Sequence, residues 1–289
     1  MKCSKCKEST VYDSPKLCKK HFIEYFEDKT KRTIKEYSLL KKSDKICVAA
    51  SGGKDSMALL YILKKLGYKI EALALDEGIK GYRDKSLEFL KKFCKANNIP
   101  LRIYSYKDEI GSTIDVLSKK YRPACNVCGT FRRHLLDKYA KRYDKIATGH
   151  NLDDESQAVL MNILKAHTQI FSRQGPLTKK VKGFVQKVKP FYFTKEKEVM
   201  IYAYLLGLNV DFEECPYAPM SFRAHVRDLL NKYESENQGT KLNIVKRYLD
   251  IKDKIEDDAP LNKCSVCGSP CSGATCKACR FKEEIKLSN

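Results

Sequence analysis

The stretch SGGKDS, residues 51–56, has the composition of a phosphate-binding loop. Its two glycines would let the backbone approach a phosphate closely, and a helix starting there would add unpaired N–H groups. Lys54 supplies a positive charge, and the serines supply hydroxyl donors. The Walker phosphate loop is a poor match, because that motif needs Ser or Thr where Asp55 stands and Gly where Val48 stands. The sequence therefore predicts a phosphate loop of another kind.

A second candidate site is the carboxylate-rich stretch GHNLDDE, residues 149–155. Asp153 and Asp154 are adjacent, so they cannot both point into one site from a regular helix. One of them is expected to cap a helix or hold Mg²⁺, and the other to face a substrate. The alternative is that both simply cap the helix, whose dipole favours negative charge there. Because the stretch follows a predicted strand, it should meet the phosphate loop at one edge of a sheet.

Two groups of cysteines, one near each end of the chain, have the spacing of zinc ligands. Four filled ligand positions leave none open for chemistry, so both groups are predicted to be structural zinc sites. The expected ligands are Cys3, Cys6, Cys18 and His21 at the front, and Cys264, Cys267, Cys276 and Cys279 at the back. Cys271 is left over in the second group and could compete for a ligand position.

A further pair, Cys125 and Cys128, precedes a predicted helix, and Cys215 lies in a proline-bounded loop. The helix dipole, together with Arg132 and Arg133, is expected to lower the pKa values of the pair. If the fold brings the three thiols together, they could form a redox dithiol, a third zinc site or an iron–sulfur cluster with one open iron. The residues alone favour the dithiol and the zinc site over the cluster.

Strand-like and helix-like segments alternate between the two zinc groups. Strands are predicted at residues 45–50, 69–75, 101–106 and 144–149. The alternation predicts an α/β fold, a Rossmann-like parallel sheet with helices on both faces and ligands at the carboxyl ends of the strands. The predicted parts of the chain are an N-terminal zinc-finger module at 1–27, a catalytic domain at 28–255 and a C-terminal zinc-finger module at 256–289.

The charge of the chain favours a polyanionic partner. Lys and Arg number 56 against 36 Asp and Glu, a net charge of +20, and phosphate contacts supply most sequence-independent affinity for nucleic acid. No apolar run reaches the roughly 18 to 20 residues that a membrane helix needs. The first residues, MKCSKCKEST, lack the apolar core of a signal peptide. The protein is therefore expected in the cytoplasm, without a membrane partner.

Five stretches together resemble the tRNA 2-thiouridine synthetases, a family of PP-loop ATP pyrophosphatases with zinc fingers at both ends. They are SGGKDS, the CxxCGxFRR pattern that starts at Cys125, GHNLDDE, KPFYFTKEKEVMIYAY, and ECPYAPMSFRAHVRDLL around Cys215. One subgroup of this family thiolates the wobble uridine of the anticodon, and another thiolates a uridine in the T-loop. The FRR and FRAHVRD sequences are similar to the wobble subgroup, whereas the T-loop subgroup has a catalytic Lys at the position of Arg132.

The resemblance implies that ATP, with Mg²⁺, adenylates O2 of the wobble uridine and that sulfur carried on a [4Fe–4S] cluster then replaces this oxygen. The implied nucleotide contacts are Ala49, Ser51, Gly52, Gly53, Lys54, Asp55, Ser56 and Gly149. The implied cluster ligands, which are also catalytic, are Cys125, Cys128 and Cys215. The other implied catalytic residues are Asp154, Lys54 and Arg132. The implied partners are tRNA, a sulfur donor (sulfide or a ubiquitin-like thiocarboxylate protein) and a second copy in a homodimer.

Several alternatives stay open. A PP-loop ligase acting on another substrate would not need the three central cysteines. A thiolase could act on the T-loop uridine instead, or use an iron-free persulfide or dithiol mechanism. A non-catalytic zinc-bearing RNA-binding protein would not need both SGGKDS and GHNLDDE.

Overall fold

A computed structural model describes most of the chain, namely residues 1–166, 172–210, 213–255 and 262–287. In these ranges a central α/β domain carries a small module at each end of the chain. No helix in the described ranges is both long and apolar enough to cross a membrane.

The N-terminal module begins with a short antiparallel hairpin that leads into a long helix. The hairpin strands are β1 (Tyr12–Asp13) and β2 (Lys16–Leu17), and the helix is α1 (Lys19–Glu36). Phe22 and Phe26 of α1 are fully buried. The domain boundary predicted between residues 27 and 28 falls inside α1, so the N-terminal module and the central domain share one continuous helix.

Five parallel strands form the central sheet. They are β3 (Lys45–Ala49), β4 (Lys69–Asp76), β5 (Leu101–Ser105), β6 (Lys145–Ala147) and β7 (Gln186–Val188). Their order is β5–β4–β3–β6–β7, so the chain adds strands first on one side of β3 and then on the other. The four predicted strands are confirmed. The fifth, β7, was missed because three residues with the sequence QKV carry no apolar period.

Each face of the sheet packs against its own apolar core, because successive side chains of a strand point to opposite faces. Ile46 and Val48 of β3 belong to the core of one face, which we call the first face. Cys47 of β3 and Leu73 of β4 belong to the core of the other, the second face.

Helices cover both faces, as predicted. Those of the central domain are α2 (Lys54–Lys65), α3 (Arg83–Ala96), α4 (Tyr106–Ile110), α5 (Ile114–Lys120), α6 (Cys125–Tyr139), α7 (Leu152–Leu164), α8 (Glu196–Leu205), α9 (Phe222–Glu236) and α10 (Thr240–Lys252). Helices α2, α3 and α8 contribute to the core of the first face, and α4, α5 and α6 to that of the second. Helices α7, α9 and α10 pack against one another.

The C-terminal module packs on the second face. It contains the hairpin of β8 (Asn262–Lys263) and β9 (Pro270–Cys271), followed by α11 (Lys277–Lys286). The ring of Phe281 on α11 lies 6.1 Å from that of Phe131 on α6, centroid to centroid. The boundary predicted at residue 256 lies outside the described residues. The N-terminal module contributes to the core of the first face, so the two modules lie on opposite faces of the sheet.

Candidate active site

A cleft opens at the carboxyl ends of β3 and β6. The strand order reverses between these two strands, which is where open α/β sheets bind ligands. The predicted site residues that line the cleft are Ala49, Ser51, Asp55, Ser56, Arg132, Gly149 and Asp154. Gly52, Gly53 and Lys54 belong to the same loop but are not part of this lining.

The phosphate loop, residues 51–56, curls tightly between β3 and α2. Gly52 has a φ of 86°, and a Cβ there would lie 2.1 Å from the carbonyl oxygen of Ser86. Glycine is therefore the residue that fits at this position. The Ser56 Oγ accepts hydrogen bonds from the backbone N–H groups of Ser51 at 3.2 Å and of Gly52 at 3.1 Å. The loop thus takes its shape from contacts among its own residues.

Lys54 and Asp55 begin α2 and form an ion pair beside the cleft. The Lys54 Nζ lies 2.7 Å from Glu196 Oε1 and 3.2 Å from Asp55 Oδ2. Although burial acts against it, these two carboxylates hold the pKa of Lys54 above its usual range. Burial raises the pKa of Asp55 to about 6. The positive charge of Lys54 acts to lower this pKa, and the negative charge of Asp154 acts to raise it. A cation bound in the cleft would favour the charged form of Asp55.

Asn151 ties the loop after β6 to the phosphate loop. Its Oδ1 accepts from the backbone N–H groups of Asp153 at 3.0 Å and Asp154 at 3.1 Å, which caps α7. Its Nδ2 donates to Asp55 Oδ1 at 3.0 Å. Gly149 lies against the backbone of Asp55, where an added Cβ would be 2.9 Å from the carbonyl oxygen. The prediction that these two loops meet at the sheet edge is confirmed.

Asp153 and Asp154 have different environments, as predicted. Asp153 accepts a hydrogen bond from the backbone N–H of Glu196 at 2.8 Å and forms a buried ion pair with Lys241. Asp154 lines the cleft, and its Oδ1 lies 3.3 Å from Arg223 Nη1. Burial raises the pKa of Asp154, although Arg223 opposes this shift. Asp153 therefore holds the fold together, whereas Asp154 faces the cleft.

The three central thiols come from two segments that meet beside the cleft. Helix α6 begins at Cys125, so Cys125 and Cys128 lie in its first turn and not before it, as the sequence had indicated. The Cys125 Sγ lies 3.5 Å from the backbone carbonyl oxygen of Tyr217. The Cys215 thiol interacts electrostatically with those of Cys125 and Cys128. The Tyr217 hydroxyl donates to Asp115 Oδ1 at 2.9 Å, which fixes this segment on α5.

Arg132 reaches from α6 into the cleft between the thiols and an acid. Its Nη2 lies 2.9 Å from Glu77 Oε1 and 3.6 Å from Cys128 Sγ. The prediction that the pair would have lowered pKa values is wrong for Cys128, because burial raises its pKa more than the charge of Arg132 lowers it. Burial likewise raises the pKa of Cys215. A bound metal cation reverses this preference for the neutral thiol.

The predicted zinc ligands at the two chain ends form two four-residue clusters, each with its ligand atoms within 4.8 Å of one another. The Sγ atoms of Cys6 and Cys18 lie 3.6 Å apart, and those of Cys267 and Cys276 lie 3.7 Å apart. Two sulfurs on one tetrahedral zinc ion are about 3.8 Å apart. Cys271 stays outside its cluster, 3.0 Å from the carbonyl oxygen of Gly273. Among the described residues no other set is as tight, so the central thiols are spread more widely than the ligands of one ion.

Some residues of the site were not predicted from the sequence. Glu77 could have been found, because it directly follows β4 and therefore lies at the carboxyl end of a parallel strand. Glu196 and Lys241 reach the site from helices far along the chain. Their spacing in the sequence does not indicate that they contact the site. Arg223 lies in the FRAHVRD stretch, for which the resemblance gave a match but no role.

The sheet order, the phosphate loop and the cleft define a nucleotide-binding α/β protein of the PP-loop class. A family model described as a PP-loop domain matches residues 18–233. The chain is 42% identical over 299 residues to a tRNA-5-methyluridine(54) 2-sulfurtransferase from Pyrococcus horikoshii, covering 99% of this chain and 96% of the relative. The chain belongs to the family of PP-loop tRNA 2-sulfurtransferases.

One solved relative acts, by its name, on a different uridine, and the name of another relative gives no position. The chain is 37% identical to cytoplasmic tRNA 2-thiolation protein 1 from Dictyostelium discoideum, over 93% of this chain and 78% of the relative. A U34-tRNA thiolase, NcsA, from Methanococcus maripaludis was solved with its [4Fe-4S] cluster. It is 31% identical, with a TM-score of 0.85 and coverage of 99% of this chain and 96% of the solved one. The relatives are thus divided between proteins named for uridine 54 and for uridine 34.

Proposed function

We propose that the protein uses ATP to replace the 2-oxygen of a tRNA uridine with sulfur. The observation that carries this proposal is that the phosphate loop and Asp154 line one cleft together with Arg132, whose Nη2 lies 3.6 Å from Cys128, one of the three central thiols. A PP-loop ligase needs the loop and the carboxylate but not the three thiols. An RNA-binding protein without catalytic activity needs neither the loop nor the thiols.

The chain's own residues provide for adenylation of the uridine. O2 of the uridine attacks the α-phosphorus of ATP, the bond to the bridging oxygen breaks, and pyrophosphate leaves. The phosphate loop and Lys54 would bind the phosphates, and Asp55 and Asp154 would hold Mg²⁺ between them. When sulfur bonds to C2, the C2–O2 bond breaks and AMP leaves. Arg132 would stabilise the negative charge that develops in this step.

Cys125, Cys128 and Cys215 would hold a [4Fe–4S] cluster like that of the solved relative. Three observations support the fit: the thiols are free, Cys128 and Cys215 border the core of the second face, and the three sulfurs do not all lie within 4.8 Å of one another as the ligands of one ion would. Three thiolate ligands leave one iron open, and this open iron is the site for sulfur that such a cluster supplies when bound.

We assign the wobble uridine, position 34, as the target. Arg132 supports this choice, because the T-loop subgroup has a Lys at that position, and so does the likeness to a U34-tRNA thiolase. Uridine 54 is the second candidate. The observation that favours it is the 42% identity to the enzyme from Pyrococcus horikoshii.

Zinc would occupy the two terminal clusters.

The net charge of +20 supports binding of tRNA through its phosphates. Affinity for tRNA should therefore fall steeply as salt rises. The names of several relatives favour a cytoplasmic location. The sulfur donor is expected to be sulfide or a ubiquitin-like thiocarboxylate protein, and a homodimer is expected from the family resemblance.

The proposal is tested with protein purified without oxygen. Iron and sulfide are measured, ATP binding is followed by titration, and thiolated nucleosides are quantified by mass spectrometry of digested tRNA. Cys125→Ala, Cys128→Ala and Cys215→Ala should each lose iron and thiolation while retaining ATP binding. Cys94→Ala is the control, because Cys94 is a buried thiol in the core of the first face, away from the cleft.

The same assay separates the alternatives. A tRNA with cytidine at position 34 should not be thiolated, whereas one with cytidine at position 54 should be. The reverse result would establish the T-loop uridine as the target. If iron-free protein thiolates tRNA at the full rate, the reaction uses a dithiol mechanism and not a cluster. AMP release without any thiolation would indicate a ligase.

A further inference from the structure

Glu77 is a buried acid shared by two arginines. Its side chain is 7% exposed, and its Oε2 lies 2.8 Å from Arg83 Nε. Its Oε1 accepts from Arg132, at 2.9 Å from Nη2 and 3.2 Å from Nε. One carboxylate therefore joins a side chain from α3 to one from α6.

The backbone around Glu77 leaves this carboxylate little freedom. Its carbonyl oxygen accepts from the Ile114 N–H at 2.8 Å. The next residue, Gly78, has a φ of 67°, and a Cβ there would lie 2.5 Å from the Thr113 side chain. The turn after β4 is thus fixed against the start of α5.

Arg83 connects Glu77 to the phosphate loop. It is 3% exposed, and its Nη1 donates to the carbonyl oxygen of Ser51 and, at 3.0 Å, to Ser86 Oγ. Its Nε also lies 2.8 Å from the carbonyl oxygen of Leu75. Arg83 therefore has three acceptors besides Glu77, and these keep it in place on the loop.

Arg132 is held by fewer contacts than Arg83. Its side chain is 53% exposed where it lines the cleft, and in the described part of the chain Glu77 is the acid that it contacts. The remaining contact is with Cys128 Sγ at 3.6 Å. A long side chain at an open surface samples many rotamers unless a two-nitrogen contact of this kind holds it. The direction of Arg132 thus depends on Glu77.

We propose that Glu77 is a positioning residue that orients Arg132 across the cleft and ties it, through Arg83, to the phosphate loop. The proposal deepens the proposed function and rests on it, because the reaction requires the nucleotide site and the sulfur site to be held in register. In the described part of the chain, the contacts of the Glu77 carboxylate are with Arg83 and Arg132 and not with the thiols or the phosphate loop, so Glu77 acts through the two arginines.

Glu77→Asp tests the proposal. The shorter side chain keeps the charge that neutralises buried Arg83 but withdraws from Arg132 by about the length of one bond. We expect kcat for tRNA-dependent AMP release to fall by about 10²-fold, the loss typical of a misplacement near 1 Å, with KM for ATP unchanged. Glu71→Asp is the matched control, because Glu71 lies on β4, the strand that Glu77 follows, and pairs with Arg102 at 3.3 Å and Arg142 at 3.1 Å instead of with the arginines of the cleft.

A spectroscopic measurement tests the geometry without relying on activity. The Nε–Hε signals of Arg132 and Arg83 are followed by NMR in labelled protein. We expect a restrained Arg132 signal in the parent protein and a motionally averaged one in Glu77→Asp, with Arg83 still restrained. The signals of Arg102 and Arg142 should respond to Glu71→Asp alone.

A double variant separates positioning from general damage to the fold. In an Arg132→Lys background, where the two-nitrogen contact is already lost, adding Glu77→Asp should cause no further loss of kcat. Losses that multiply, or an Arg132 signal that is averaged in the parent protein or unchanged in Glu77→Asp, would overturn the proposal. If the parent protein thiolates no tRNA, the proposed function fails, but the NMR result still decides the role of Glu77.

Discussion

The N-terminal and C-terminal modules carry the same kind of four-ligand metal cluster, yet they support opposite faces of the sheet. The N-terminal module shares the core of the first face with α2, the helix that follows the phosphate loop. The C-terminal module shares the core of the second face with α6, which begins at the central pair of thiols. Each module therefore packs beside a different half of the candidate active site, and we expect its cluster to stabilise that half.

The N-terminal module is attached through a buried charge. Glu198 on α8 is 1% exposed, and its Oε1 accepts hydrogen bonds from the hydroxyls of Tyr12 and Tyr25, both at 3.0 Å. Its Oε2 lies 2.7 Å from Lys29 Nζ. Such an attachment depends on its shared acceptor, because removing Glu198 takes away the carboxylate that all three groups contact.

The C-terminal module is attached mainly through aromatic rings. Phe281 meets Phe131 of α6, and its ring lies 5.2 Å from that of Tyr121 in an edge-on arrangement. The Tyr121 hydroxyl donates to Glu284 Oε2 at 2.7 Å at the exposed rim. Apolar contacts weaken in proportion to the area that is lost, so this attachment should fail gradually.

Removing one metal ligand from each module should have the largest effect and should separate the two halves of the site. Cys18→Ser and Cys276→Ser should each lose about one metal ion per chain, and metal binding supplies about 10–16 kcal/mol of folding free energy in isolated zinc fingers. Only Cys276→Ser should also lose iron, because α11 packs on α6. Elemental analysis of both variants measures this. Equal loss of iron from the two would contradict the division between faces.

Glu198→Ala should have the next largest effect. The free energy of unfolding should fall by about 3–5 kcal/mol, since Lys29 and two tyrosine hydroxyls lose their common acceptor. Urea denaturation measures the change, with Lys197→Ala as the control at an exposed neighbouring position. A decrease below 1 kcal/mol would mean that the buried charge is not what holds the N-terminal module.

Phe281→Ala should weaken the C-terminal attachment by a smaller amount. The half-buried ring should contribute about 2 kcal/mol, roughly half the value for a fully buried phenylalanine. Iron content should fall while the metal of the C-terminal cluster remains. Phe281→Leu, which keeps much of the apolar area, should retain most of the iron. Full iron loading in Phe281→Ala would show that α11 is not needed to hold α6.

Much of this architecture is readable from the sequence because the strands are buried on both faces and appear as continuous apolar runs. KICVA and KIEALALD are such runs, whereas β7 is short and only its last residue, Val188, is fully buried. The phosphate loop and the GHNLDDE stretch could be predicted for a similar reason, since both lie at the carboxyl ends of two neighbouring strands.

What the sequence could not provide depends on tertiary packing. Lys241, which neutralises Asp153, is 88 positions away along the chain. The pKa of Cys128 is controlled by burial, which no local pattern reports, and so the neighbouring arginines gave the wrong direction. The position of Glu77 directly after a strand could have been read from the sequence. Nothing in the sequence indicates that two arginines from different helices share its carboxylate.

Cys271→Ser should have the smallest effect. The Cys271 thiol contacts the Gly273 carbonyl oxygen and lies outside the four-ligand cluster, so the free energy of unfolding should change by less than about 0.5 kcal/mol. Metal content should be unchanged. A loss of metal would mean that Cys271 replaces one of the four ligands.

Gly149 brings the two loops of the cleft into backbone contact, with no room for even a methyl group against the Asp55 carbonyl. The Asn151 side chain crosses the same seam. Two segments joined in this way cannot slide past each other as a lid does, so the nucleotide side of the cleft is preorganised before a ligand arrives. Little conformational entropy is then lost on binding, and the interaction energy of ATP goes into alignment of its α-phosphorus. Adjustment to an incoming tRNA loop is therefore expected away from this seam.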